Sequence, residues 1–557
     1  MKPAPDGNMP SPDSDEGRSG AFGSSGILLA MAKHPSVQVV LDHLEEALIQ
    51  RNVSRGFSLL DAHSNLLEQL DPETPEALRF LLLRAQWADL GHGDVRLVAN
   101  SHARFTRLEI ARITFLDFLK LRLAEAFIFL SMENLDECIS SLDLILRAGS
   151  DVLCPHLRFV AHFWKARAHR KKGEYENSLL HIVAARTTAE NIGATKLVAV
   201  VKIHESWLIF QKGERRRALQ LLDEAEKELQ PTGHALSLGN IESARGRFVR
   251  RSGEYVAALT HFERAIAIYS STFSHHPNYA RALVNAAYVK RLMALDMQTK
   301  MHKGSAKGAV HSRYQRIIKE AIELLERAGT IYALHRHQSG TGSVLVNAGH
   351  LHLERGDIDR AAKEAENAYA LGCEKNDPIL MARSRILHAA VELARADEEM
   401  EEHSGPAQHA DLAVRHADDA IEIATHTQNK RLLAEAYILR GTAAAADSFQ
   451  DWELAKSYVT KASKLLSPDD RDHLLKELGA LKSKILHSAN IDQTLRQWSE
   501  GEIGNKTFQQ IQEEFAEIVI PKVWLSQGKN ITRVAQVLSI SPKKVRRILR
   551  RAPPPGD

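Results

Sequence analysis

Three phrases, KKGEYENSL at residues 171–179, QKGERRRAL at 211–219 and RSGEYVAAL at 251–259, recur at a fixed step of forty residues. Regular spacing of this kind is typical of a repeat array. Each phrase holds one glycine, and small or apolar residues follow that glycine at offsets that share one face of a helix. These residues are Ser178, Ile182 and Ala185 in the first copy, Ala218, Leu222 and Ala225 in the second, and Ala258, Phe262 and Ala265 in the third.

This pattern predicts two antiparallel helices per unit, with glycine at the tight turn and alanine where the two backbones approach each other. The unit resembles the tetratricopeptide repeat in a lengthened form. Two later stretches keep the same offsets: GHLHLERGDIDRAAKEAENAYA begins at Gly349, and GTAAAADSFQDWELAKSYVTKASKLLSP begins at Gly441. The sequence therefore predicts an all-α chain dominated by a tetratricopeptide-like solenoid.

We expect the solenoid to span residues 36–485, with its clearest units at 155–270 and 345–468. In the weaker copies before residue 148, other residues replace the glycine and the small side chains. The stretch MQTKMHKGSAKGAVHSR, at 297–313, predicts a flexible basic insertion between two helices. Residues 1–30 are rich in Pro, Gly, Ser and Asp, and we expect them to be disordered. Whether translation starts at Met1 or at Met31 stays open.

Composition limits the class of protein. At 557 residues the chain is too long for one ordinary domain, and 44% hydrophobic with 26% charged residues is typical of a globular protein. The three cysteines are far apart and lack metal-binding spacing, which favours a reducing compartment. No stretch approaches the ~20 apolar residues of a membrane span. We expect a cytoplasmic protein without membrane contact.

Motifs of catalysis are missing from the sequence. The chain contains no GxxxxGK[ST] phosphate loop, no HExxH and no GxSxG. Its paired histidines, as in HRH at 335–337, lie on opposite faces of a helix and make poor pairs of metal ligands. We therefore expect no enzyme, no catalytic residue, no metal site and no cofactor.

A solenoid of this kind has a concave groove, which takes a protein, a peptide or a small signal. The groove candidates lie on the first helices of the repeats, although aromatic residues there more often serve packing. They are His162, Trp164, Arg167, His204, Trp207 and Arg247.

The stretch NITRVAQVLSISPKKVRRILRR, at 530–551, has a different organisation. Asn530 and Ser541 can each cap a short helix, and Pro542 suits the first turn of the second one. The layout is helix, turn, helix, with a small residue at the crossing and aliphatic residues that hold the second helix down. The predicted core is Val534, Ala535, Leu538, Ser539, Ile540, Val545 and Ile548. That core leaves Lys543, Lys544, Arg546, Arg547, Arg550 and Arg551 on outward surfaces.

Upstream, NKTFQQIQEEFAEIVIPKVWLSQG predicts a helix that ends near Gly528 and contains Pro521, where we expect a kink or a restart. Its apolar stripe consists of Phe508, Ile511, Phe515 and Ile518. From Gly528 onward the chain has eight Lys or Arg and one acidic residue, against a net charge of +3 for the whole chain. This asymmetry indicates an anionic partner for the C-terminus.

Residues 505–551 resemble the Fis-type helix-turn-helix at the C-terminus of bacterial response regulators and enhancer-binding activators, and we assign residues 490–557 to this domain. The resemblance implies that the last helix enters the major groove of double-stranded DNA and that the stripe forms a dimer seam. It implies phosphate contacts for Thr532 and Arg533, and DNA-facing positions for Ser541 and the six outward cations. Ser539 replaces the usual turn glycine. The ATPase domain of the enhancer-binding activators is missing, so ATP-driven remodelling is not implied.

The leading hypothesis is a bacterial, nucleoid-associated transcriptional regulator that binds specific DNA as a homodimer and takes a protein, peptide or small signal in its repeats. The alternative is a non-catalytic scaffold whose basic helix binds RNA, or DNA without sequence preference. The two hypotheses differ in whether the protein prefers particular bases in the nucleic acid that it binds.

Overall fold

The computed structural model describes residues 36–105, 113–149, 152–302, 307–401, 407–467, 469–488, 497–498, 501 and 503–551. The described residues form helices and turns without a strand, so the all-α class is confirmed. None of the described helices is long and apolar enough to cross a bilayer. The segment predicted to be disordered, residues 1–30, and Met31 lie outside the described residues.

The helices follow one another in pairs along the chain. They are α1 Val37–Ile49, α2 Val53–Ala62, α3 Ser64–Glu68, α4 Pro75–Asp89, α5 Val95–Phe105, α6 Phe115–Ser131, α7 Leu135–Arg147, α8 Pro155–Lys172, α9 Tyr175–Asn191, α10 Thr195–Gln211, α11 Arg215–Leu229, α12 Ala235–Arg251, α13 Tyr255–Ser270, α14 Pro277–His302, α15 Lys307–Leu334, α16 Gln338–Glu354, α17 Ile358–Glu374, α18 Pro378–Glu401, α19 Ala407–Thr425, α20 Lys430–Ala444, α21 Trp452–Leu465, α22 His473–Ser488, α23 Phe508–Ser526, α24 Ile531–Val537 and α25 Pro542–Arg551.

The repeat phrases form the turns between paired helices, as predicted. Gly173, Gly213 and Gly253 have φ of +82°, +93° and +78°, a left-handed conformation in which a side chain is strained. The nine residues that follow them at fixed offsets are all buried. Neighbouring helices can therefore approach closely at the alanines, while Ile182, Leu222 and Phe262 fill the space between units. These contacts build the tetratricopeptide-like solenoid.

The weaker copies use the same turn with a different residue. Arg51 and Glu133 occupy positive-φ positions at +55° and +62°. Arg336 and Asn376, in turns between successive helix pairs, do so at +51° and +48°. A non-glycine residue in this region is strained by roughly 1–2 kcal/mol. Each of these turns therefore keeps the backbone geometry of the repeat and gains a side chain.

The basic insertion is shorter than the sequence predicts. Helix α14 continues to His302 and α15 begins at Lys307, so most of residues 297–313 is helical. Ala, Met and Lys are good helix formers, and they extend the two helices into the stretch. Residues 303–306 lie outside the described part of the chain.

Successive turns of the superhelix touch each other. The Ser339 amide donates to Glu133 Oε2 at 2.9 Å across 206 residues of chain. Further along, the Gln428 amide donates to the Gly173 carbonyl at 3.0 Å, and the Arg471 amide donates to a carbonyl of α12 at 2.9 Å. The later helices thus rest on the earlier ones.

The last three helices form a separate small core. Ala516 and Ile520 of α23 pack against Val534 of α24 and against Val545 and Ile548 of α25. This cluster draws its residues from these three helices alone, so α23–α25 form a compact module.

Candidate functional site

The C-terminal module has the local geometry of a helix-turn-helix. The side chain of Asn530 accepts a hydrogen bond from the Arg533 amide at 3.1 Å, and Ser541 Oγ accepts one from the Lys544 amide at 3.2 Å. Both predicted caps are therefore in place. Between them the Ile540 amide donates to the Ala535 carbonyl at 3.0 Å and closes the turn.

The structure brings together the aliphatic residues of the predicted helix-turn-helix core. Val534, Val545 and Ile548 are 0% exposed and Ala535 is 6% exposed. Leu538 and Ile540 are partly buried against this cluster. Burial of such side chains contributes roughly 1.5–3 kcal/mol each, which is enough to order a short basic helix. The sequence prediction missed Ala516 and Ile520, which complete the core from α23.

The turn residue Ser539 has φ of +50°. The amide of Ser539 donates to the Gln536 carbonyl at 3.2 Å, so the turn closes despite the strained backbone. A serine here therefore reduces the stability of the module relative to the glycine that the resemblance implies.

The structure divides the predicted DNA-facing cations into two groups. All six are exposed, as are Thr532, Arg533 and Ser541. Glu513 of α23 accepts hydrogen bonds from Arg547 at 2.9 Å and from Arg551 at 3.2 Å. In the described part of the chain, no acidic side chain forms an ion pair with Lys543, Lys544, Arg546 or Arg550. Lys543, Arg546 and Arg550 follow one another at helical spacing and form one unpaired stripe.

Helix α23 carries the predicted seam on its surface. Phe508 is 75% exposed and Phe515 is 50% exposed, while Ile511 and Ile518 are partly buried. The helix runs through Pro521 without restarting, and the proline ring is buried. Because its N–H is missing, Pro521 leaves one helical carbonyl unbonded, but the module core covers the ring.

A cavity of about 430 Å³ lies inside the solenoid. First helices of successive pairs line it, together with the loops that follow α4 and α13. Arg167 and His204, two of the predicted groove residues, lie in its wall. The sequence prediction missed others, including Arg51, Asp89, Arg170, His234 and Arg281.

The remaining groove candidates serve packing or adjoin the cavity. Trp164 is 1% exposed, and its Nε1 donates to Asp89 Oδ2 at 3.1 Å. His162 contacts His181 at 3.0 Å between ring nitrogens. The Arg247 guanidinium lies 4.4 Å from the ring centroid of Trp207, a cation–π contact.

No protein-family model and no curated protein sequence matches the chain. Among solved structures, a Rap protein complexed with competence and sporulation factor is similar at 13% identity over 81% of this chain and 99% of that chain, with a TM-score of 0.44. The apo form of the quorum sensor NprR from B. thuringiensis is similar at 12% identity over 68% and 98%, with a TM-score of 0.44. NprR in complex with its cognate peptide NprX has 12% identity over 54% and 82%, with a TM-score of 0.38. At these values we infer function from the residues of this chain alone.

Proposed function

We propose that this chain is a transcriptional regulator that binds double-stranded DNA through α24 and α25 and takes a signal inside its solenoid. The observation that carries the proposal is the unpaired stripe of Lys543, Arg546 and Arg550 on a helix held by a buried core. A solvated basic tail would not bury Val545 and Ile548, whereas a helix that enters a major groove needs this support.

The division of the cations gives each one an expected role. Arg546 lies in the middle of the unpaired stripe and can donate to a base edge. Arg547 and Arg551 are held beside Glu513, which reduces the positive potential on that side of α25. Thr532 and Arg533 near the start of α24 suit phosphate contacts.

The exposed stripe of α23 supports a homodimer. Phe508 and Phe515 present large apolar surfaces that nothing in the described chain covers. Two copies that pair through this face would place two basic helices on half-sites related by two-fold symmetry. Replacement of Phe508 and Phe515 by Glu should give a monomer in analytical ultracentrifugation and should weaken binding to a two-site operator.

Selection from genomic DNA with the purified full-length chain, repeated after deletion of residues 505–557, tests the proposal. A sequence motif enriched by the full chain and lost on deletion is the expected result. If the full chain enriches DNA or RNA without a motif, the scaffold alternative holds instead.

Matched arginine variants refine the test on the selected motif. Arg546→Ala should reduce discrimination between bases by about 1–3 kcal/mol. Arg547→Ala, already paired with Glu513, should change affinity less and leave base preference intact. Equal effects of the two variants on base preference would contradict a reading role for Arg546.

A further inference from the structure

The cavity has an apolar side and a cationic side. Phe127, Leu130, Phe163, Val200 and Leu236 give it apolar wall. The cavity is also lined by five basic residues: Arg51, Arg167, Arg170, Lys171 and Arg281. A volume of about 430 Å³ falls in the range of sites for small organic molecules.

Part of this positive charge is balanced within the protein. Arg167 Nη1 donates to both oxygens of Asp89, at 2.7 and 2.5 Å. Lys171 Nζ donates to Glu133 Oε1 at 3.2 Å. These cations have a structural partner, so they need no ligand.

Three neighbouring arginines have no such partner. Within the described chain, no carboxylate forms an ion pair with Arg170, Arg247 or Arg281, which we call the arginine cluster. Arg281 reaches only the neutral side chain of Asn240, at 3.1 Å. Arg170 Nε and Arg247 Nε are buried without any hydrogen-bond partner.

Neighbouring arginines lower the pKa of two members of the cluster, Arg170 and Arg247. Burial, and then the charges of Arg281 and Arg167, hold the pKa of Arg170 at about 9. Burial, Arg281 and Arg170 together bring the pKa of Arg247 well below its usual value. Buried charges of one sign without a counterion are costly, so an anion would relieve them.

Elsewhere in the solenoid, buried arginines are paired with acids. Arg251 and Arg431 both contact Asp470, at 3.0 and 3.1 Å. Arg291 Nε donates to Glu354 Oε1 at 2.5 Å. These inner arginines have acidic partners, whereas Arg170 and Arg281 in the cavity wall have none among the described residues.

A second unpartnered group lies in the cavity wall. His234 is 2% exposed, and neither of its ring nitrogens has a hydrogen-bond partner. Burial, with Arg51 and His276, lowers the pKa of His234 to about 3, so its ring is neutral and offers one donor and one acceptor. Arg51, 7% exposed, also has an unpartnered Nε.

We propose that the cavity binds a small organic anion carrying two or more negative charges on phosphate or carboxylate oxygens. Arg170 and Arg281, which line the cavity, neutralise the charged groups, while Arg247 adds positive charge nearby without lining it. His234 bonds a polar group of the ligand, and the apolar wall covers its carbon skeleton. The inference deepens the proposed function, because it names the chemistry of the signal that the solenoid takes.

Inorganic pyrophosphate and citrate, one for each source of oxyanion, test the site in the full-length chain. Thermal unfolding and titration calorimetry are measured without DNA, in sodium chloride of matched ionic strength. At least one anion should raise the Tm by several degrees relative to chloride. Arg170→Met and Arg281→Met, which both change the cavity wall, should each weaken its binding roughly tenfold or more. Arg216→Met, on the exposed outer surface, should leave binding unchanged.

Stability without ligand distinguishes a binding role from a structural one. Removal of an uncompensated buried charge should leave the Tm of Arg170→Met equal to or above that of the wild type. A lower Tm for both methionine variants would make these arginines structural and overturn the proposal. So would equal binding by the variants and the wild type.

Failure of both small anions would also overturn the proposal, including the case in which only an acidic peptide binds. Because binding is measured without DNA, loss of the anion site would leave the DNA selection unaffected. Conversely, failure of that selection would leave the anion measurement valid.

Discussion

Substitution of Glu133 tests whether contact between successive turns of the superhelix stabilises the fold. Its side chain is 2% exposed and joins the turn after α6 to the start of α16. Oε1 accepts from Lys171 Nζ at 3.2 Å, and Oε2 accepts from the Ser339 amide at 2.9 Å. Glu133→Gln keeps the shape of the side chain and removes its charge, so it isolates the electrostatic part of the contact.

The pKa of Glu133 gives the sign of the effect. Burial alone would raise it, but the charges of Lys171 and His337 and the Ser339 amide outweigh burial and hold it at about 2, against 4.5 ordinarily. The lowered pKa means that the ionised form stabilises the fold, and hydrogen bonds to a charged group contribute roughly 1.5–3 kcal/mol. Because the folded-state pKa is lowered, this stabilisation is present above pH 4.5 and is lost as the pH falls towards 2.

Urea unfolding followed by circular dichroism measures the effect at pH 7 and at pH 3. Glu133→Gln should lose roughly 1.5–3 kcal/mol at pH 7, and the difference from wild type should shrink at pH 3. Glu137→Gln, an exposed acid on the following helix, serves as the control. If the two variants lose equal stability at pH 7, the contact between turns does not stabilise the fold.

Backbone strain at the same position is measured separately. Glu133 has φ of +62°, so Glu133→Gly should be more stable than Glu133→Ala by about 1 kcal/mol, although both lose the side chain. Hydrogen exchange at the Ser339 amide should accelerate in both variants, because its acceptor is gone. Protection equal to the wild type would contradict the hydrogen bond.

Four further variants test turns and the C-terminal core. Gly253→Ala should lose about 1–2 kcal/mol more than Gly213→Ala in urea unfolding. Both positions have positive φ, but only at Gly253 does an added Cβ lie 2.5 Å from a backbone oxygen, that of Arg471. Ser539→Gly should stabilise the C-terminal module by about 1 kcal/mol, as measured by hydrogen exchange, since φ is +50°. Ile548→Ala should cost about 2–5 kcal/mol, expose residues 507–551 to protease and leave the solenoid folded; an intact module would contradict its place in the core.

The sequence predicts best where contacts are local. The offsets after Gly173 identify the helix pair because one turn and its two helices hold all the contacts concerned. The helix-turn-helix core is predictable for the same reason, since Val534 and Val545 lie within one short segment. Weak copies of the repeat are harder to recognise from sequence, because Arg51 and Glu133 adopt the positive φ that glycine favours.

The cavity could not be predicted in the same way. The arginine cluster brings together α8, α12 and α14, and their approach depends on small rotations that accumulate from repeat to repeat. The same limit hid the pairing of Arg547 and Arg551 with Glu513, which lies 34 residues from Arg547. The sequence alone does not show which arginines of the first helices lack an acidic partner.

The bonds from Ser339 to Glu133 and from Gln428 to Gly173 also constrain how such a chain can evolve. In an open solenoid, duplication or loss of one unit changes the length and little else. Here an added unit between residues 173 and 428 would shift every later helix along the coil and separate donors from acceptors on the turn before. The number of repeats is therefore fixed by the circumference of the coil, and we expect variation among descendants to appear at the ends of the array and in its loops.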